Sequence, residues 1–118
     1  MKVIIAGSRN FDSYEFLRQS CDSILHCYTN VEVVSGTAKG ADKLGEYYAE
    51  SREFAIKRFP ANWNLHGKSA GYIRNTEMAN YADMLICFWD GESLGTKHMI
   101  DIAKKNNLII HLFKTDWL

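Results

Sequence analysis

Five strand-sized apolar runs, separated by stretches of helix length, constrain this chain more tightly than any other feature. The runs are Lys2–Ala6, Val31–Val34, Phe54–Phe59, Ala82–Trp89 and Leu108–Phe113. Lys2–Ala6 and Ala82–Trp89 are nearly continuous in apolar character, the pattern of strands covered on both faces. Between the runs the period turns helical. Asp12–Glu15 opens with an acid-bearing capping stretch, after which Leu17, Cys21, Ile24, Leu25 and Tyr28 share one face until Thr29-Asn30. Further helices are expected from Lys39 to about Arg52, from a Ser69 cap to about Tyr81, and from Thr96 to Lys105. Pro60 to Gly67 reads as an irregular loop carrying Trp63, and the charged Phe54–Phe59 run reads as an edge strand.

This alternation requires a parallel sheet with right-handed crossovers and helices on both faces. The expected fold is α/β, a Rossmann-like three-layer sandwich on a five-stranded parallel sheet in the order 3-2-1-4-5. With 118 residues the chain has enough length for one core and too little for two, so residues 1–118 read as a single domain. In such a sheet the ligand crevice opens where strand order reverses, between the first and fourth strands. The loops after residues 6, 34, 59 and 89 therefore meet.

Fourteen Lys and Arg balance fourteen Asp and Glu, so the chain projects no broad positive field toward nucleic acid or anionic membrane. An anion must be held locally. The apolar runs are too short for a membrane-crossing helix. Cys21, Cys27 and Cys87 show no CxxC spacing and no signal peptide precedes them, so reduced, buried packing thiols in a cytoplasmic protein are expected. The four histidines form no ligand-spaced cluster, and neither a metal site nor a required cofactor is proposed.

The unusual residues lie in the converging loops. Gly7-Ser8-Arg9-Asn10 follows the first strand, and Ser35-Gly36-Thr37-Ala38-Lys39-Gly40-Ala41-Asp42 follows the second. Each joins small residues, which let a backbone approach a phosphate, to a cation that can add a charge-assisted contact. Trp89-Asp90-Gly91 through Gly95-Thr96-Lys97 repeats the arrangement after the fourth strand. Asp90 has two readings, a ribose acceptor or base and a turn cap. Arg74 and Asn75 begin the third helix near the same crevice, although Arg74 has Glu77 as an alternative surface partner. Trp63 and Trp89 are candidates for stacking on a base or for ordinary packing.

The segments K-V-I-I-A-G-S-R-N-F, S-G-T-A-K-G-A-D, F-P-A-N-W, G-Y-I-R-N-T-E-M-A and F-W-D-G-E-S-L-G-T-K, in this order, resemble the SLOG superfamily and, more narrowly, its YspA/cpYpsA-related branch. The resemblance implies a Rossmann-like protein that binds a nucleotide or nucleotide derivative such as NAD, ADP-ribose or a cyclic relative. Members are linked to sensing in prokaryotic and viral conflict systems, and a homodimer is implied, with Trp117 or Tyr72 available to an interface. Two positions depart from the branch's pattern: Thr37 replaces a usual glycine, and Lys39 a usual arginine.

Gly91–Met99 also resembles the phosphate-binding motif of the Lonely Guy phosphoribohydrolases, matching at Gly95 and Thr96 but placing Met99 where they carry a glutamate. Two functions follow. The first is a sensor or sequestering protein for a nucleotide-derived signal. The second is an N-glycosidic or nucleotide hydrolase using Arg74 with Asp90 or Asp42.

Overall fold

The computed structural model describes residues 1–117. Strands β1 (Lys2–Gly7), β2 (Glu32–Ser35), β3 (Ala55–Arg58), β4 (Met84–Trp89) and β5 (Ile109–Lys114) form one parallel sheet in the order β3-β2-β1-β4-β5. This is the expected order. Helices α1 (Tyr14–Leu25), α2 (Ala41–Ser51), α3 (Trp63–His66), α4 (Ala70–Tyr81) and α5 (Leu94–Lys105) surround it, with one 3-10 turn at Gly67–Ser69.

Successive side chains of a strand point to opposite faces, and in β1 both faces are sealed. Val3 and Ile5 join Val33, Ile86 and Phe88 beneath Leu17, Cys21 and Leu25 of α1 and Tyr48 and Ala49 of α2. Ile4 and Ala6 join Val34, Leu85 and Cys87 beneath Met78 and Ala79 of α4 and Met99, Ile100 and Ala103 of α5. The buried α1 residues recur every four positions, which is why that segment is a helix and which face it buries. At the sheet's edge β3 exposes Lys57 and Arg58, charges that discourage further strand pairing.

The elements depart from the sequence reading in five places. Helix α1 stops at Leu25, so Tyr28 and Cys27 lie beyond it, and Cys27 is exposed rather than packed. Cys21 and Cys87 are buried, and burial pushes each thiol up to about 12. Helix α2 begins at Ala41, because left-handed backbone at Thr37 (φ 65°) and Gly40 (φ 76°) keeps the preceding loop irregular. The Pro60–Gly67 segment contains α3, capped where Asn62 Oδ1 accepts from the Leu65 N–H at 3.1 Å. Ser69 makes no side-chain cap, since the 3-10 turn feeds directly into α4. Finally, α5 begins two residues early because Ser93 caps it.

Candidate functional site

The carboxyl ends of β1 and β4 are tied by their own backbones. The Ser8 N–H donates to the Phe88 carbonyl at 2.9 Å, the Asp90 N–H to Ser8 Oγ at 3.0 Å, and the Ala41 N–H to the Ser8 carbonyl at 3.3 Å. Gly7 permits this, because a Cβ there would collide with the Phe88 carbonyl. Gly40 packs against the Ser8–Arg9 backbone and fixes the first two loops to each other. The loop after β3 closes the group, its Pro60, Ala61 and Trp63 facing Arg9, Gly36, Thr37, Ala38 and Arg74 across a depression of about 100 Å³.

Beside that depression lies a cleft of about 200 Å³ between α4 and the first turns of α2 and α5. Its floor is apolar, with Ala6, Met78 and Met99. Its walls carry Arg9, Asp42, Arg74, Asn75 and Thr96. Arg74 is in the second turn of α4 rather than at its start. It leaves Glu77 alone, donating from Nη1 to the Gly36 carbonyl and from Nε to Asn75 Oδ1 at 3.0 Å. Asn75 is buried, and its Nδ2 reaches the Gly95 carbonyl and His98 Nδ1, each at 3.2 Å. One amide thereby aims Arg74 and joins α4 to α5.

Asp42 is 5% exposed, and burial raises its carboxyl to about 6 against the pull of the Ala38 N–H and of Arg74. The Ala38 N–H donates to Asp42 Oδ2 at 3.1 Å. Gly36 has to be bare at this point, since a Cβ would lie 2.7 Å from Asp42 Oδ2 and 2.8 Å from Arg74 Nη1. Neither Arg9 nor Arg74 forms a salt bridge among the described residues. Burial also pulls the Arg74 guanidinium below its ordinary value, with Asp42 opposing and Arg9 adding to the shift. Two guanidinium groups therefore share one wall with a single, reluctant carboxylate.

Of the sequence candidates, Gly7, Arg9, Asp42, Arg74, Asn75, Gly95 and Thr96 line the cleft, and Gly36 and Thr37 line the adjoining depression. Others lie elsewhere. Lys39 is exposed and lines neither cavity. Trp89 packs against the α4/α5 core, donating to the Ser93 carbonyl at 3.1 Å beneath Lys114. Asp90 and Gly91 line a different recess, where Asp90 Oδ1 accepts from the Glu92 and Ser93 N–H groups at 2.9 Å each. Those bonds hold its carboxyl below the usual range. The loop leading into α2 is also less available than its glycines suggest, because the Thr37, Ala38 and Ala41 N–H groups donate internally.

Sequence reasoning missed Glu46, which is buried and bonded to Ser35 Oγ at 2.6 Å and to Arg58 Nε at 3.0 Å. Ser35 Oγ in turn accepts from the Thr37 N–H at 3.0 Å, so Glu46 braces the loop from behind. An acid on the inward face of a helix, four residues after Asp42, was the available signal. Tyr72, ring to ring with His98 at 4.6 Å, and Lys68 complete the wall.

A family profile described as "YspA, cpYpsA-related SLOG family" matches residues 1–66. The chain is also 33% identical over 111 residues to the Gene 61 protein of Mycobacterium phage D29, covering 88% of this chain and 89% of that one. The chain belongs to the YspA, cpYpsA-related SLOG family. The X-ray structure of DNA processing protein A (DprA) from Streptococcus pneumoniae is similar in fold, at a TM-score of 0.75 and 16% identity. That superposition covers 99% of this chain, which spans about half of the other (51%). No helix of the described residues is long and apolar enough to cross a membrane.

Thr37 holds φ 65°, a left-handed conformation that disfavours a β-branched side chain and favours glycine.

Proposed function

We propose that the cleft binds a phosphate-bearing nucleotide or nucleotide-derived metabolite, and that the protein acts as a sensor or sequestering protein for it. The observation that carries this is the pair Arg9 and Arg74, neither in a salt bridge among the described residues, on a cleft entered by the first turn of α5. The Leu94 and Gly95 N–H groups at that turn have no partner among the described residues. Cations and free helix-terminal N–H groups together favour a phosphate. Family membership supports the same ligand class. A polynucleotide finds less support, because the net charge is zero.

Hydrolysis is the second reading, and Asp42 favours it. A buried carboxylate on a cleft wall, raised to about 6, is suited to exchanging a proton near neutral pH. Against it, Met99 occupies the position of the phosphoribohydrolase glutamate, buried at the cleft floor.

One experiment separates the two. AMP, ADP-ribose and NAD are each incubated with the chain, the melting temperature is recorded, and the mixture is then chromatographed. A binder raises the melting temperature, by about 2.7 kcal/mol of stabilisation at a hundredfold excess over Kd, and returns the compound unchanged. Release of free base or ribose phosphate, lost in Asp42→Asn, establishes the hydrolase. No shift with any of the three overturns phosphate binding.

A further inference from the structure

Of the three tryptophans, one has no visible structural task. Trp89 is held by the Ser93 carbonyl and Lys114, and Trp117 packs edge-on against Phe16. The Trp63 side chain has no hydrogen bond, aromatic neighbour or cation over its ring among the described residues, and the residue is 51% exposed. It nevertheless lines both the cleft and the adjoining depression.

Two glycines sharpen the point. Gly71 lies within α4 and Gly95 in the first turn of α5, and both line the cleft. Each is the second residue of its helix, and packing does not require a glycine at either position. A Cβ on Gly71 would meet only Trp63 Cη2 at 3.6 Å and Arg74 Nη2 at 3.7 Å, ordinary contacts, and one on Gly95 would meet nothing within 4 Å. What either Cβ would occupy is open cleft. Gly71 in particular keeps a bare gap between the Trp63 indole and the Arg74 guanidinium.

We infer that the cleft takes a nucleoside phosphate in one direction, with the base stacked on Trp63, the sugar crossing the gap at Gly71, and the phosphate held by Arg74 and the Gly95 turn. The inference rests on the phosphate reading above and adds to it the requirement for an aromatic base. An exposed indole offers a flat apolar face that every base can use. Arg74, fixed by Gly36 and Asn75, sets where the charged end must lie. The direction follows from the order Trp63, Gly71, Arg74 along that wall.

The test is calorimetric titration of the full chain with AMP and with ribose 5-phosphate, comparing the parent with Trp63→Ala, Trp63→Phe and Arg74→Met. Because Trp63 is half exposed and belongs to neither core cluster, its variants are expected to keep the fold, which melting curves verify. The expected result is a loss of AMP affinity of roughly tenfold in Trp63→Ala, largely restored in Trp63→Phe, with ribose 5-phosphate binding equally to all three. Arg74→Met weakens both compounds. If Trp63→Ala leaves AMP unaffected, or weakens ribose 5-phosphate as much as AMP, the stacking platform is wrong while phosphate binding stands. If neither compound binds the parent, the phosphate reading itself is overturned and the stacking platform falls with it.

Discussion

Two of the recesses at the carboxyl end of the sheet differ in kind. The cleft over α4 and α5 is about 200 Å³, with an apolar floor and a wall carrying Arg9 and Arg74, neither in a salt bridge among the described residues. The recess beside the β4–α5 loop is larger, about 590 Å³, and is lined by Asp12, Asp90, Glu92 and Asp116 with Lys114 as its one lysine or arginine. Both are bordered by glycine-bearing loops. The glycine at Gly91 (φ 88°) serves a turn that Asp90 closes, whereas Gly36 lets Asp42 and Arg74 converge. A glycine-bearing strand end therefore marks a place where backbone turns sharply, and the side chains packed behind it decide whether an anion is welcome.

The largest effect that would sharpen this contrast belongs to Arg74. Arg74→Met should weaken AMP by about 1.5–3 kcal/mol, the range for a hydrogen bond to a charged group, and Arg9→Met by the lower end of that range. Asp90→Ala should leave AMP affinity unchanged and lower stability by about 1 kcal/mol, the usual cost of removing a side-chain cap. Calorimetry and denaturant melts report the two quantities separately. The reverse pattern would move the site to the acidic recess.

Asp42 gives the next effect, through pH. Its carboxyl titrates near 3.8 when unperturbed and about 6 in the fold, so the folded chain binds the proton more tightly than the unfolded one. The stability associated with that proton is fully present below the lower value and is lost as pH rises toward the higher one. Asp42→Asn removes this loss. It should make the chain up to about 3 kcal/mol more stable at neutral pH, with no advantage below about pH 4. A destabilised variant at neutral pH would mean that Arg74 and Arg9 depend on the carboxylate more than burial opposes it.

Thr37 provides the smallest. Replacing it with glycine relieves left-handed backbone strain but adds freedom to the unfolded chain, leaving a net gain of about 0.5–1 kcal/mol in denaturant melts. A loss instead would show that the Thr37 side chain makes a contact worth more than the strain.

The sheet order and the meeting of four loops were legible because they depend on apolar period and chain order, which sequence displays directly. The three cationic candidates were not equally legible. Arg9 and Lys39 follow strand ends in similar small-residue loops, yet one lines the cleft and the other points to solvent, a difference set by the left-handed turns at Thr37 and Gly40. Arg74 was placed near the crevice, but its partners are a carbonyl 38 residues away and the amide beside it. Helix α3 escaped notice because four residues carry no period, although Asn62 marked its start. Glu46 was hidden for a related reason, since its partners Ser35 and Arg58 come from two other strands.

The central claim is that the phosphate lies against Arg74 in the cleft, and a crystal structure of the chain grown with saturating AMP tests it most directly. The account predicts phosphate oxygens within hydrogen-bond distance of the Arg74 guanidinium and the Gly95 N–H. AMP seated among Asp12, Asp90 and Glu92, or a cleft left empty at saturating AMP, would contradict it.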